Sequence, residues 1–194
     1  MLTLMKSVIK MKTRNKIILL CCIPVVVILF FIQYYTINHK YPQYKSVLYE
    51  KSSTVSYNGF KINVTGAKIL NDSEIKKWNH SFYDSIKIDG QTMETVIVNI
   101  QIKNTTSSKA VYDVSSICLE SNYWSNGIVL NGFLALNSSN DSMRPVLNPR
   151  EVLSLQLPYT MIPTQFKKVD WSEVKHRQFN LVLSFYPIKR VVLL

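Results

Sequence analysis

Three histidines are the side chains best suited to acid–base chemistry in this chain, and none lies in a recognisable catalytic pattern. His39 follows a long apolar segment, His80 ends a predicted helix, and His176 precedes Arg177. A Ser-His-Asp site needs a serine nucleophile and an orienting carboxylate around its histidine, and no nucleophile motif accompanies any of the three. The sequence therefore predicts no catalytic residue, and we expect a protein that is not an enzyme.

Metal and phosphate sites are equally poorly represented. His80 and Asp84 form an isolated pair, and residues 137–141 (NSSND) lack the glycine and the distal glutamate of a calcium loop. The five glycines are dispersed, so no glycine-rich loop can cradle a phosphate. We expect neither a metal ion nor a cofactor.

One pair of aromatic residues has the setting of a binding loop. Tyr123 and Trp124 stand among small polar residues in the segment 121–126 (SNYWSN), between two apolar runs. Such aromatics supply a large contact area and dominate interface hot spots, and loops carry binding more often than the sheets that hold them. The sequence predicts an interaction loop at Tyr123 and Trp124. The alternative is that Trp124 folds back as a lid on the core.

Where in the cell this loop lies depends on an apolar segment near the N-terminus, residues 17–37 (IILLCCIPVVVILFFIQYYTI). As a helix it is roughly 31 Å long, enough to cross a bilayer, and a proline such as Pro24 is tolerated there. Tyr34 and Tyr35 have the amphipathic rings typical of a membrane–water interface. The segment predicts a transmembrane anchor that begins at Lys16 and Ile17. A cleavable signal peptide, a lipoprotein signal and a buried core helix are the alternatives.

The flank before the anchor predicts its orientation. Basic residues retain a flank in the cytoplasm, and no acidic residue precedes the apolar run. The basic residues of this flank are Lys6, Lys10, Lys12, Arg14 and Lys16. We therefore expect a cytoplasmic tail over residues 1–16 and an extracellular C-terminal domain in a single-pass protein of the cell membrane.

Charge limits the classes of partner expected for the outer domain, and cysteine content limits its disulfides. The chain has 194 residues and a net charge of +11, and the basic charges beyond the tail are scattered. A nucleic-acid footprint would be a denser basic stripe, so we expect no nucleic-acid partner. Cys118 is the only cysteine beyond the anchor, which leaves no intrachain disulfide there. Six Asn-x-Ser/Thr sequences are interpreted as chance matches in an Asn-rich chain.

Alternating apolar residues predict a domain made mainly of strands. Asn58-Gly59 is typical of a tight hairpin turn between residues 54–57 and 60–69. The other predicted strands cover residues 92–104, 111–120, 127–136, 152–157 (stopped by Pro158), 179–185 and 188–194. Two helical segments are predicted: residues 71–80, capped by Asp72, and a turn at 170–174 with Asp170 and Glu173 at capping-box spacing.

This pattern predicts an all-β fold. Seven or eight short strands favour an immunoglobulin-like antiparallel β-sandwich with one or two short helices, preceded by a single N-terminal transmembrane helix. The domain boundaries we expect are a tail (1–16), an anchor (17–37), a stalk (38–52) and an extracellular β-sandwich (53–194).

Four segments of the outer domain resemble a known family. They are residues 96–105 (VIVNIQIKNT), 148–159 (NPREVLSLQLPY), Asp170-Trp171 and 179–189 (FNLVLSFYPIK). The domain is similar to uncharacterised membrane- or lipid-anchored proteins of Firmicutes with an immunoglobulin-like, telokin-like extracellular domain. Such domains often turn through Pro-Gly-Glu where this chain has Pro149-Arg150-Glu151. The shared motifs are structural, so the resemblance implies the fold and no catalytic residue.

Three functions remain open from the sequence. The first is a membrane-tethered binding or accessory domain of unknown ligand, serving a transporter, an envelope complex or bacteriocin immunity, with a membrane-protein or cell-envelope partner. The second is a structural component of the cell envelope. The third, and least favoured, is an envelope hydrolase.

Overall fold

The computed structural model describes residues 13–41, 45–140 and 142–194, with backbone alone for residues 13–21. Helix α1 covers Thr13–Lys40 and contains Pro24, so it exceeds the predicted segment 17–37 at both ends. Over Cys22–Lys40 it is long and apolar enough to cross a membrane, a test that a signal sequence also passes. Lys6, Lys10 and Lys12 of the predicted tail lie outside the described residues, as do residues 42–44 of the predicted stalk.

The residues predicted to mark the anchor all fall on α1. Lys16 and Ile17 lie in its first turns. Near the other end, the Tyr34 ring stacks on Phe30 with centroids 6.4 Å apart, and Tyr35 stacks on His39 at 6.0 Å. Both tyrosines are exposed, so their side chains are free to meet an interface, and their role there stays a prediction.

A second unit, Tyr44–Leu194, contains all the strands of the described chain. In chain order its strands and α-helices are β1 (Lys45–Tyr49), β2 (Thr54–Tyr57), β3 (Phe60–Asn71), α2 (Asp72–Trp78), α3 (His80–Ile86), β4 (Glu94–Asn104), β5 (Ala110–Val111), β6 (Cys118–Ser121), β7 (Trp124–Gly127), α4 (Leu130–Leu136), β8 (Val146–Leu147), β9 (Val152–Met161), α5 (Lys168–Ser172), β10 (Asn180–Ser184) and β11 (Ile188–Leu193).

Two sheets form a β-sandwich. One has the strand order β1-β11-β10-β6-β7, the other β2-β3-β4-β9, and β5 and β8 form a short separate ladder. Side chains from both sheets share one core, for example Ile100 of β4 with Leu119 of β6 and Leu181 of β10. The predicted β-sandwich is confirmed, and its described residues form four short α-helices where one or two were predicted.

Strand β4 shows why the sequence pattern was informative. Its predicted inward residues are buried, whereas Gln101 and Lys103 on the other face are exposed. The hairpin before it also matches the prediction, because Asn58 and Gly59 both have positive φ angles (48° and 79°), as a type I′ turn requires.

The prediction of a stalk over residues 38–52 is wrong in its second half. Lys45–Tyr49 form strand β1, which pairs in parallel with β11 from Lys45 opposite Ile188 to Tyr49 opposite Val192. The pattern was missed because β1 is an edge strand with four of five residues exposed, so apolar alternation is not required of it. This pair also departs from the purely antiparallel pairing that the sequence predicted.

The helix predicted over residues 71–80 ends at Trp78, and a second helix that was not predicted, His80–Ile86, follows it. Asn71, not Asp72, is the cap of α2: its side chain accepts a hydrogen bond from the Glu74 N–H (2.9 Å), and Glu74 accepts one from the Asn71 N–H (2.8 Å). Asn79 then caps α3 by accepting from the Phe82 N–H (2.9 Å). Because an Asn cap satisfies the free N–H groups of a new helix, Asn79 starts a second helix where one was expected to end.

The predicted strand over residues 127–136 is wrong in its second part, which forms helix α4. This helix and α3 cover the outer face of the second sheet, where Ile97 joins Phe82 and Ile86 in a smaller apolar cluster. Gly132 permits their close approach, because a Cβ there would lie 2.7 Å from Ile86 Cγ2. An apolar run of this length fits a buried strand or a helix packed on a sheet, and periodicity alone does not separate them.

Pro158 does not stop β9, which continues to Met161. A proline is tolerated on an edge strand because its missing N–H would face away from the ladder, and β9 is the edge of its sheet. The chain covers that edge: the Val129 N–H donates to Pro158 O (3.0 Å), and the Asn137 side chain donates to Gln156 O (2.9 Å) and accepts from the Gln156 N–H (2.9 Å).

Two smaller predictions also differ from the structure. The run 111–120 is not one strand, since a 3-10 turn at Val114–Ser116 separates β5 from β6. The capping box of Asp170 and Glu173 is absent, because α5 follows Lys167 as its N-cap and Asp170 lies inside the helix.

Asn104, at the end of β4, connects the loop that follows it to the end of β8 through one buried amide. Its side-chain nitrogen lies 2.8, 3.0 and 3.1 Å from the carbonyl oxygens of Ser108, Leu147 and Asn148. Its side-chain oxygen accepts from the N–H of Thr106 (2.9 Å). The side chain is fully buried. Asn104 therefore has a structural role in the sequence Asn104-Thr105-Thr106, and the interpretation of the six Asn-x-Ser/Thr sequences as chance matches stays a prediction.

We expect Asn104→Asp to lower the free energy of unfolding by about 3 kcal/mol or more, since it places a buried acceptor against three carbonyl oxygens. Chemical denaturation followed by tryptophan fluorescence measures the loss. Gln101→Glu makes the same chemical change on the exposed face of β4 and should cost little. Equal losses in the two variants would contradict the role assigned to the Asn104 amide.

The Pro149-Arg150-Glu151 turn keeps the geometry of a turn that favours glycine. Arg150 has a φ of 65°, and the Glu151 N–H donates to Asn148 O (3.1 Å). Proline at the second position and a positive φ at the third are the marks of a type II turn. The Glu151 carboxylate closes the turn by accepting from the Asn148 N–H (2.7 Å). Arginine thus occupies a left-handed conformation that its Cβ disfavours.

Replacing this arginine by glycine should stabilise the domain. We expect Arg150→Gly to raise the free energy of unfolding by about 0.5–1 kcal/mol, because glycine adopts positive φ angles without steric cost. Lys109→Gly is the control, since Lys109 is exposed and has no positive φ; that variant should lose stability. A loss in both variants would mean that the turn relaxes without strain.

Candidate binding cleft

The predicted interaction loop is a tight hairpin rather than a six-residue loop. Ser121 pairs with Trp124, so only Asn122 and Tyr123 form the turn between β6 and β7. Asn122 has a φ of 48°, a conformation that asparagine adopts more readily than most residues. The turn holds the two aromatic residues, Tyr123 and Trp124, in different settings.

Trp124 packs against other aromatic side chains. Its ring stacks on Phe166 with centroids 5.6 Å apart and meets Phe179 edge-on at 6.2 Å. Its indole N–H donates to Gln165 Oε1 (3.4 Å). Trp171 extends the row, 5.7 Å from the Phe166 ring. Trp124 is half-buried against the core, which fits the lid alternative.

Tyr123 is fully exposed at the tip of the hairpin. It stands at the rim of a cleft of about 570 Å³, a size within the range of small-molecule and peptide sites. The remaining lining residues are Asn122, Trp124, Gln165, Phe166, Lys167, Asp170 and Arg177. The cleft therefore combines aromatic rings, amide groups and charged groups of both signs.

Arg177 fixes the two halves of the cleft to each other. Its Nε and Nη2 donate to the side-chain and backbone oxygens of Ser121, both at 3.2 Å. Its guanidinium also lies over the Phe166 ring, 5.4 Å from the centroid. Ser121 in turn donates to Gln178 O (2.7 Å). The β6–β7 hairpin and the segment 165–178 are thus held together, so the cleft has a defined shape before any ligand binds.

The cleft lies at one end of the sandwich, opposite the end where the chain enters it. Asn180 at the start of β10 pairs with Glu120 beside the cleft. Lys45 at the start of β1 pairs with Ile188, next to the turn that follows Ser184 at the end of β10. Five strand residues separate these ends by about 13 Å. A ligand in the cleft would therefore approach the domain from the side away from its N-terminal attachment.

A smaller cavity of about 160 Å³ is lined by Lys51, Lys68, Lys175 and Arg177, and the last three already have contacts within the domain. Lys175 lies 3.6 Å from a carboxylate oxygen of Glu74 and 3.6 Å from one of Glu94. Lys68 places its ammonium 3.3 Å from the centroid of the Trp78 ring, and burial lowers the pKa of Lys68. Burial also raises the pKa of Glu94, against the influence of Lys175. We interpret this cavity as part of the scaffold.

The three histidines lie on three different elements. His39 lies on α1, His80 is 3.5 Å from Asp84 on the exposed side of α3, and His176 is exposed in a 3-10 turn. In the described part of the chain, no three His, Cys, Asp or Glu side chains are placed to share a metal ion. Cys118 is half-buried, and burial raises the pKa of its thiol, which disfavours the reactive thiolate. Asp141 lies outside the described residues.

Sequence reasoning missed Phe166, Gln165 and Arg177. They lie more than 40 residues beyond Tyr123 and Trp124 and reach the cleft through long-range contacts, among them the pairing of β6 with β10 and the hydrogen bond from the Asn126 side chain to Thr160 O. The segment 163–177 also has no alternation or long helical period that would have placed it. Its one usable signal was Phe166 beside Lys167 in a polar connection, a weak one without the strand order.

Fold and cleft together define a class: a small β-sandwich domain that follows a candidate membrane span and carries an aromatic cleft at one end. Within this class the chain belongs to the family described as Domain of unknown function (DUF5028), whose match covers residues 32–190. The match starts inside α1 and extends into β11. The predicted resemblance to an uncharacterised family of β-sandwich proteins is confirmed at this level.

Solved structures similar to this chain come from three Firmicutes. A functionally unknown protein from Listeria monocytogenes is 16% identical, with a TM-score of 0.45 over 66% of this chain and 70% of its own. A conserved hypothetical protein from Bacillus anthracis is 13% identical (TM-score 0.44; 69% and 88%). An uncharacterised β-sandwich protein from Clostridium difficile is 13% identical (TM-score 0.41; 78% and 95%). No curated protein matches.

Truncating each of the two aromatic residues of the hairpin should change the free energy of unfolding by different amounts. We expect Trp124→Ala to lower the free energy of unfolding by about 3 kcal/mol, because it removes the ring that packs on Phe166 and Phe179. Tyr123→Ala should change it by less than about 0.5 kcal/mol. Urea denaturation of both variants measures the difference. Comparable losses would mean that Tyr123 also packs on the domain.

Proposed function

We propose that this protein is a membrane-tethered binding domain without catalytic activity. In this proposal α1 anchors the chain in the cell membrane, the N-terminus stays in the cytoplasm, and the sandwich, of immunoglobulin-like type, works outside the cell. The cleft binds a membrane-protein or cell-envelope partner. The basic flank and the tyrosines of α1 support the orientation.

The observation that carries the proposal is that the cleft has an exposed aromatic rim on walls that are already held in place. A fully exposed tyrosine stands at its rim, while Arg177 and Phe166 hold its walls in place. Exposed aromatic side chains on a rigid support lose little entropy on binding, which is why they act as anchors in interfaces. Its position opposite the start of β1 leaves it open to a partner beyond the anchor. Binding rather than turnover is proposed because the lining residues of the cleft include no histidine, cysteine or serine and a single carboxylate, that of Asp170.

Site-directed photo-crosslinking in intact cells tests the binding site. A benzoylphenylalanine side chain at position 123 should form an adduct with a discrete partner, and Gln165→Ala or Lys167→Ala in the cleft should reduce the yield several-fold. The matched control places the same side chain at Lys103, which is exposed on the outer face of β4. Equal adducts from both positions, or adducts unaffected by the cleft variants, would contradict the assignment of the cleft.

External protease on intact protoplasts tests the orientation. We expect loss of the domain after Lys45 and survival of the N-terminal tail, because the basic flank keeps that tail inside. Lysed protoplasts are the control, in which the tail should also be cleaved. Protection of the domain in intact protoplasts would overturn the proposed orientation.

A further inference from the structure

The turn between β10 and β11 carries unusually apolar residues for an exposed position. Phe185 is 44% exposed and Tyr186 is 55% exposed, and Pro187 follows them. Turns between strands usually consist of Gly, Pro, Asn, Asp and Ser, as in the Asn58-Gly59 turn of the same domain, so Phe185 and Tyr186 are the unusual residues here. Two neighbouring aromatic rings exposed at the tip of a turn indicate a surface that contacts another molecule or a membrane.

This turn lies at the end of the sandwich where the chain arrives from α1. The Lys45 N–H donates to Pro187 O (3.3 Å), and Lys45 pairs with Ile188. Only residues 42–44 separate Lys45 from Tyr41. Whatever their conformation, the chain between those two residues reaches about 14 Å at most. If α1 spans the membrane, the turn is therefore restricted to a layer close to its surface.

The chemistry of this end matches a lipid headgroup layer. Phenylalanine and tyrosine rings favour the boundary between hydrocarbon and headgroups, and lysines are attracted to anionic headgroups. Lys45 is exposed at this end, and Lys189 places its ammonium 5.7 Å from the Phe185 ring while it pairs with Glu120 at 2.6 Å. Lys45 is therefore the cation on which we place the headgroup contact.

We propose that Phe185, Tyr186 and Lys45 form a membrane-contact tip that rests in the headgroup layer of the outer leaflet. The inference rests on the proposed function, because it requires α1 to be a membrane anchor and the domain to lie outside. The contact fixes the orientation of the sandwich. It holds the cleft, at the other end of β10, away from the lipid.

The experiment uses the full chain in nanodiscs of phosphatidylcholine and phosphatidylglycerol. Cys21→Ala, Cys22→Ala and Cys118→Ala remove the native thiols, and one cysteine is then introduced by Tyr186→Cys, Tyr123→Cys or Tyr35→Cys. Each is labelled with a fluorophore, and quenching by lipids with a nitroxide on the headgroup is measured. Tyr123, exposed at the opposite end of the same sheet, is the matched control for Tyr186.

We expect the probe at position 186 to be quenched at least about threefold more than the probe at position 123, and quenching there to weaken in the Lys45→Gln variant. Equal quenching at 186 and 123, with strong quenching at 35, would overturn the membrane-contact tip and leave the proposed anchor intact. Absence of quenching at 35 would overturn the anchor and, with it, the tip. Thermal denaturation of the labelled variants checks that each domain is folded.

Discussion

Strand β4 must be covered on both faces along its first half, and much of the domain follows from this constraint. Val96 and Val98 face the sandwich core, whereas Ile97 between them faces outward and is completely buried. An outward isoleucine needs a second apolar layer, which α2, α3 and α4 provide. The second half of the strand carries polar outward residues and needs no such cover, and its end is secured instead by the buried amide of Asn104.

The sequence was sufficient where one residue type admits one conformation. Asn58-Gly59 specified a hairpin, and the alternation through Ile100 and Ile102 specified a half-buried strand. It was insufficient where tertiary contacts decide between conformations. The run that forms α4 is apolar enough for a strand, and only its place over the edge of β9 makes it a helix. Pro158 misled for the same reason, because its cost depends on whether β9 has a neighbour on that side.

The cleft illustrates a similar limit. The aromatic pair at Tyr123 and Trp124 was recognisable by composition, but its two members have different settings that follow from the two-residue turn. Arg177 and Phe166 could not be associated with them without the order of strands in the sheet. Strand pairing between distant residues thus forms the walls of the site around the aromatic pair. Local residue patterns do not predict that pairing.

The parallel pairing of β1 with β11 has a mechanical consequence. A partner bound in the cleft and an anchor attached before Lys45 would pull on opposite ends of the domain. Hydrogen bonds between strands run roughly across the strand axis, so tension along β1 loads the ladder from Lys45 to Tyr49 in shear. All of its bonds then share the force, instead of opening one after another as in a peeled hairpin. Under the proposed function, the first strand of the domain would resist such a load at the point where the chain enters the sandwich.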